Sequence, residues 1–194
     1  KDGKEITAYA LHTPKESNGK AEVVFHFDGS VVAGKDIVVF EKVFDGKVEV
    51  AVHEDPTDKG QTVSVPKIGT QMTSNGKKVV DASKNTPFED KIKYENVPAG
   101  EYTVKGKIVY GNIFGVEVVK EVEKKVTVSE KTGSVTVDFN LDTTNLKGKQ
   151  LVAFEEWYDA NGVLVAEHKD LKDKGQTVEI KNDIPNTGDV SNIM

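Results

Sequence analysis

Apolar residues in this chain recur at every second position in short runs, and turn-forming residues separate the runs. Glu101–Tyr110, Val116–Val128, Ser134–Phe139, Leu151–Tyr158 and Gln176–Ile180 are rich in Val, Tyr, Phe and Thr, with frequent alternation. Ile68–Met72 and Asp90–Tyr94 carry the same period on a smaller scale. Asn75-Gly76, Pro98-Ala99-Gly100, Lys131-Thr132-Gly133 and Asn161-Gly162 lie between the runs as turns, the last as a hairpin between two apolar stretches. No segment sustains a helical period beyond a turn or two, so the pattern predicts an all-β sandwich.

The pattern also repeats. Gly34-Lys35-Asp36-Ile37-Val38-Val39-Phe40-Glu41 matches Gly148-Lys149-Gln150-Leu151-Val152-Ala153-Phe154-Glu155. Val52-His53-Glu54-Asp55 and Asp58-Lys59-Gly60-Gln61-Thr62-Val63 match Glu167-His168-Lys169-Asp170 and Asp173-Lys174-Gly175-Gln176-Thr177-Val178. The offset from Gln61 to Gln176 is 115 residues, a reasonable length for one sandwich. Ala21–Asp28 parallels Ser134–Asn140 and is expected to be a strand. Residues 66–181 have room for a complete copy. Residues 1–65 read as the C-terminal half of a copy whose first strands are missing, and residues 182–194 as a linker. The start, Lys1-Asp2-Gly3-Lys4, lacks both an initiator Met and a signal-peptide layout, so an interior or C-terminal piece of a longer protein is expected.

Composition narrows the partners. The net charge is −6 and every basic residue is Lys, which argues against nucleic acid because phosphate binding needs a basic surface. There is no cysteine, so a β-domain outside the cell would need some other staple. No run approaches the roughly 18 apolar residues of a membrane span. His12, His26, His53 and His168 are scattered without ligand spacing, and no metal or other cofactor is expected. The pairs Asp55/Asp58 and Asp170/Asp173 read as turn caps rather than a Ca²⁺ site.

The polar residues that recur stand at apolar positions. Glu155 ends the run Leu151–Phe154, and Gln176 shares a strand face with Val178 and Ile180. A buried polar group without a partner costs roughly 1–3 kcal/mol, so these groups must meet others. Thr70 shares a face with Ile68 and Met72, Asp90 opens a strand, and His168 precedes Gln176 by eight residues, as His53 precedes Gln61. On the residues alone, a structural hydrogen-bond network explains this set as well as chemistry does. A hydroxyl, a carboxamide, an imidazole and two acids are also what an acyl transfer with loss of ammonia requires.

These motifs resemble a known family. Val152-Ala153-Phe154-Glu155, with Val38-Val39-Phe40-Glu41, is similar to the hallmark of VaFE repeats in surface-anchored proteins of Gram-positive bacteria. His168-x-Asp170-x-x-Asp173-x-x-Gln176-Thr177, Ile68-Gly69-Thr70 and Asp90-x-Ile92-x-Tyr94-x-Asn96-Val97-Pro98-x-Gly100-x-Tyr102 resemble the ester-bond domains of clostridial adhesins. The resemblance implies tandem immunoglobulin-like, Cna B-type-like sandwiches that serve as monomeric stalk modules. It also implies a single-turnover ester between Thr70 and Gln176, promoted by Asp90, Glu155 and His168. Thr73 also stands near the family's threonine position. Thr70 is preferred for the face it shares and for its distance to the Asn75-Gly76 turn. Glu41, His53 and Gln61 are the first copy's equivalents. That copy has no Thr or Asp counterpart and is expected to form no ester of its own, leaving strand edges prone to pair with another chain.

Ile184-Pro185-Asn186-Thr187-Gly188 resembles a sortase signal, with cleavage after Thr187. The implied partners are sortase and either peptidoglycan or another pilin, outside the cell on a Gram-positive wall; any host ligand is unknown. Three alternatives stand beside this reading. One is an enzyme acting on outside substrates, which the Gln counts against because it supplies an internal substrate. The second is a ligand-binding adhesin domain, which would need more exposed aromatics than one Trp provides. The third is a module stapled by a Lys–Asn isopeptide.

Overall fold

Among the described residues thirteen strands form, with two short 3₁₀ turns among them, and the long apolar-alternating runs of the second copy are all strands. The computed structural model describes residues 5–182. The first copy contributes β1 (Asp36–Val38), β2 (Glu41–Asp45), β3 (Val48–His53) and β4 (Thr62–Ser64). These form two antiparallel pairs, β1 with β4 and β2 with β3. Every residue of β2 and β3 is exposed, including Val43, Phe44, Val48, Val50 and Val52.

Ala21–Asp28 is not a strand here; the backbone runs without regular structure into a 3₁₀ turn at Gly29–Val32. Its counterpart in the second copy does form a strand, because a long neighbour takes its hydrogen bonds. Among the described residues no strand runs alongside Ala21–Asp28 to form a ladder, and extension without a ladder brings no gain.

The second copy is a two-sheet sandwich. It contains β5 (Lys67–Thr73), β6 (Val79–Val80), β7 (Thr86–Glu95), β8 (Gly100–Asn112), β9 (Gly115–Val128), β10 (Gly133–Leu141), β11 (Gln150–Tyr158), β12 (Leu164–His168) and β13 (Thr177–Ile180). One sheet has the order β10-β7-β5. The other runs β6-β13-β11-β8-β9, and β12 pairs with β11 beyond the end of β13. The turns fall where the sequence places them, with Asn75 and Gly76 both at positive φ, as a two-residue hairpin turn requires.

Between the sheets lie Met72, Phe88, Ile92, Val104, Ile108, Val137, Leu151, Ala153, Trp157, Val178 and Ile180, all buried. Trp157 packs against Tyr94 and Tyr102, with ring centroids 5.3 and 5.9 Å apart. Gly106 lets the sheets approach, since a Cβ there would stand 2.7 Å from the Phe139 ring. Gly106→Ala is therefore expected to cost about 1–3 kcal/mol by overpacking, measurable as a lower urea midpoint with an unchanged slope.

Candidate functional site

The two-residue period of the strands carries polar groups into the core. On β7 burial alternates without a break, so Asp90 takes an inward position between Phe88 and Ile92. On β11 the inward residues are Leu151, Ala153, Glu155 and Trp157. Gln176 immediately precedes β13 and is buried with Val178 and Ile180. Asp90, Glu155 and Gln176 are each fully buried. Thr70 on β5 is half-buried and shares the face of Ile68 and Met72, whereas Thr73 has the opposite parity.

Thr70 and Gln176 sit on different sheets, not on paired strands of one sheet. The edge strand β5 meets the turn before β13 where the Met72 N–H donates to the Gly175 carbonyl at 3.0 Å. The contact is close: a Cβ on Gly175 would lie 3.4 Å from the Thr70 carbonyl oxygen. The turn is shaped by the aspartates. Asp170 Oδ1 accepts from the Lys172 N–H at 2.8 Å, and Asp173 Oδ1 accepts from the Gly175 N–H at 2.6 Å. The second carboxyl oxygen of Asp173 lies 3.3 Å from His168 Nε2.

The Gln176 amide is held firmly on its nitrogen side. Nε2 donates to the Ala153 carbonyl at 2.7 Å, to Glu155 Oε2 at 3.1 Å and to the His168 carbonyl at 3.4 Å. The remaining polar atoms of the cluster are buried and make no hydrogen bond to another protein group. They are Thr70 Oγ1, both Asp90 carboxyl oxygens, Glu155 Oε1, His168 Nδ1 and the Gln176 carbonyl oxygen. The Thr70 hydroxyl and the Asp90 carboxyl face Glu155 closely enough to alter its proton affinity, but not in hydrogen-bonding geometry.

Burial, then the neighbouring Asp90 carboxyl, pushes Glu155 up to about 10. Burial also raises Asp90, while Glu155, His168, Lys78 and the Gln71 N–H pull it back toward ionisation. The two acids thus differ in their surroundings: Glu155 is held protonated, and Asp90 faces two groups able to carry positive charge. Pairs of acids separated in this way serve as donor and acceptor in proton-transfer chemistry.

The first copy repeats half of this arrangement. The Gln61 amide nitrogen donates to Glu41 Oε2 and to the His53 carbonyl, the latter at 3.4 Å. His53 Nε2 stands 3.3 Å from Asp58 Oδ2, and the Gln61 carbonyl oxygen is buried without a protein partner. Among the described residues, no threonine or aspartate of this copy stands where Thr70 and Asp90 stand in the second. The amide-holding half of the site is therefore built locally by β2, β3 and the turn that follows.

A Lys–Asn–acid grouping, as the isopeptide alternative would need, occurs where the two copies meet. Lys131 Nζ lies 3.4 Å from both Asn96 Oδ1 and Asp36 Oδ2. The Lys131 side chain is 58% exposed, and hydrogen bonds from Ser64 and Asn96 hold Asp36 below its usual range. Sequence reasoning overlooked Lys78, which reaches the Thr70–Gln176 junction. A lysine two residues after an Asn-Gly turn reads as a solvated charge, and no local signal marks it otherwise. The sortase-like residues Ile184–Gly188 lie outside the described residues.

Two crystal forms of a bacterial adhesin from Mobiluncus mulieris, which contains intramolecular disulfide, isopeptide and ester bond cross-links, are similar to this chain. Their TM-scores are 0.53 and 0.52 at 16% identity, covering 60% of this chain and 57% of that one. The chain thus aligns with little more than half of that adhesin, and at this identity the likeness concerns the fold. No curated protein sequence matches. The family described as T-Q ester bond containing domain matches twice, over residues 1–65 and 66–180. The chain, almost from end to end, belongs to the T-Q ester bond domain family.

Proposed function

We propose that residues 66–181 form a stalk module of a bacterial surface adhesin or pilus, stapled by an ester that the module makes once between Thr70 and Gln176. The observation that carries this reading is the group of buried, unpartnered atoms around an amide held on one side. Each such atom costs roughly 1–3 kcal/mol if it stays so, and a network kept for stability would satisfy its members. Ester formation uses one of them, the Thr70 hydroxyl oxygen, and joins it to the carbon of the Gln176 carboxamide.

In this mechanism Thr70 Oγ1 attacks Gln176 Cδ, and Asp90, ionised, takes the hydroxyl proton. Glu155, protonated and already accepting a hydrogen bond from Nε2 on its Oε2, gives its proton to that nitrogen as the C–N bond breaks and ammonia leaves. The proton on Asp90 then passes to its neighbour Glu155, so both acids end as they began. His168, oriented by Asp173, favours the ionised form of Asp90. No cofactor is required and no second turnover is possible, because the glutamine is consumed. Apolar strands on both sides keep out the water that would hydrolyse the product.

A covalent tie between opposite ends of a module carries tension that ladder hydrogen bonds would otherwise bear, which suits a stalk outside the cell. The Ile184–Gly188 motif would then be the sortase substrate through which the chain joins peptidoglycan or another pilin. Intact-mass measurement tests the central step. The wild-type chain should lack one ammonia, and tandem mass spectrometry should recover a peptide pair joined at Thr70 and Gln176 that mild base separates. Gln61→Ala should leave the deficit at one. A full-mass wild-type chain would refute the ester, and a link that survives base would point to an isopeptide.

A pH dependence follows for the uncrosslinked module. Glu155 and Asp90 are both raised above their ordinary values of 4.5 and 3.8. Between about pH 5 and 8 the folded state keeps a proton that the unfolded chain releases, so stability falls as pH rises. The slope is on the order of 1 kcal/mol per pH unit for each such proton. Asp36, Asp142 and Glu156 are lowered and act below this window. Thr70→Ala should therefore melt at a higher temperature at pH 5 than at pH 8; the opposite order would show that Glu155 is ionised in the fold.

A further inference from the structure

We infer that Lys78 is a positioning residue for ester formation, clamping the threonine strand onto the glutamine turn and setting its charge beside Asp90. This inference rests on the ester reading. Lys78 follows the Asn75-Gly76 turn, and its side chain is partly withdrawn from water. Its Nζ donates to the Met72 carbonyl at 2.5 Å and to the Gly175 carbonyl at 2.6 Å. Met72 lies two residues beyond Thr70 on the same face, and Gly175 immediately precedes Gln176. Gly175 O also receives the Met72 N–H. One ammonium therefore bridges the backbones that carry nucleophile and electrophile, at the only backbone hydrogen bond described between β5 and the β13 turn.

An ammonium is an unusual choice for a clamp. A backbone carbonyl needs only a donor, and burial alone lowers the affinity of Lys78 for its proton. Two acids offset that burial: Asp173, from the turn before β13, and Asp90, from β7. Asp90 in turn faces Glu155 from β11, His168 from β12, the Gln71 N–H from β5 and Lys78 itself. Lys78 and Asp90 thus act on each other's charge, while the ammonium itself sits on the free edge of β5, at the Met72 and Gly175 carbonyls. A positive charge near Asp90 favours its ionised form, while Glu155, raised by burial and by the Asp90 carboxyl, keeps the proton. The same lysine thus supports both geometry and the division of roles between the acids. Effects of this kind are large because bond formation depends steeply on how closely the reacting atoms are held.

The test uses the full 194-residue chain, freshly made by cell-free synthesis and transferred to buffers from pH 6 to 9, with ammonia loss followed by intact mass. Lys78→Met and Lys78→Gln should slow the reaction at pH 7 by about tenfold or more, the rate change of a one-unit shift in the base. Their rate profiles should also move to higher pH, because Asp90 then ionises less readily. Lys78→Gln retains a donor for the carbonyls, so its displaced profile separates charge from clamping, and Lys78→Arg should restore both rate and profile. A wild-type rate and profile in the neutral variants would overturn the inference. So would slowing with an unmoved profile, which would reduce Lys78 to packing. If the wild-type chain itself never loses ammonia, the ester reading has failed and this inference fails with it.

Discussion

Thr70→Ala should yield a chain that keeps its ammonia and loses about 4–5 kcal/mol of stability in the second copy, the loop-entropy value for closing about 100 residues. Thr70 and Gln176 are 106 residues apart, nearly the full length of the module. The substitution isolates the cross-link well. Thr70 Oγ1 makes no hydrogen bond to another protein group, and the side chain is only half-buried, so its removal breaks little else. For a domain of this size the melting temperature should fall by roughly 15–25 °C. Calorimetry on the variant and wild type, with intact mass on the same samples, checks both effects together. Loss of the ester with no fall in melting temperature would mean that the bond bears load without stabilising the resting fold.

Asp90→Asn and Glu155→Gln should each slow ester formation by about 10²–10⁴-fold, the usual contribution of a positioned acid or base. Both changes preserve shape. In Glu155→Gln the new side-chain carbonyl could still accept from Gln176 Nε2, so the amide would stay in place while the proton donor for the departing nitrogen is lost. In Asp90→Asn the new carboxamide could not take the threonine proton at all. Newly made chains of each variant, followed by intact mass over hours, would separate slow reaction from none. Cross-linking at the wild-type rate in both variants would remove the acid pair from the mechanism and leave alignment as the main cause of the reaction. The expected effect exceeds that of Lys78→Met because these groups exchange protons with the reacting atoms, whereas Lys78 acts through them.

Much of the site could be read from parity. Thr70 between Ile68 and Met72, Asp90 between Phe88 and Ile92, and Glu155 two residues after Ala153 each occupy an inward position of a strand, and Gln176, just before β13, keeps the parity of Val178 and Ile180. Side chains alternate with period two whatever the rest of the fold does. The recurrence of Glu, His and Gln at a fixed offset likewise marked a unit that the structure builds twice, as two closely similar amide-holding half-sites.

Other features depend on pairings that no local stretch encodes. That the strand carrying Thr70 and the turn carrying Gln176 meet, with the Met72 N–H donating to the Gly175 carbonyl, follows from how the sandwich closes. Ala21–Asp28 shows the converse. Its composition suits a strand, yet it remains irregular because strand structure requires a neighbour to accept its hydrogen bonds. Lys78 belongs to the same class, since its partners are the carbonyls of Met72 and of Gly175, ninety-seven residues away. By itself, the sequence determined which side chains point inward and that the unit recurs, because alternation is a property of each strand alone. Which inward groups touch, and which charges attend them, was decided only by the tertiary structure, because contacts between distant segments exist only once the sheets have packed.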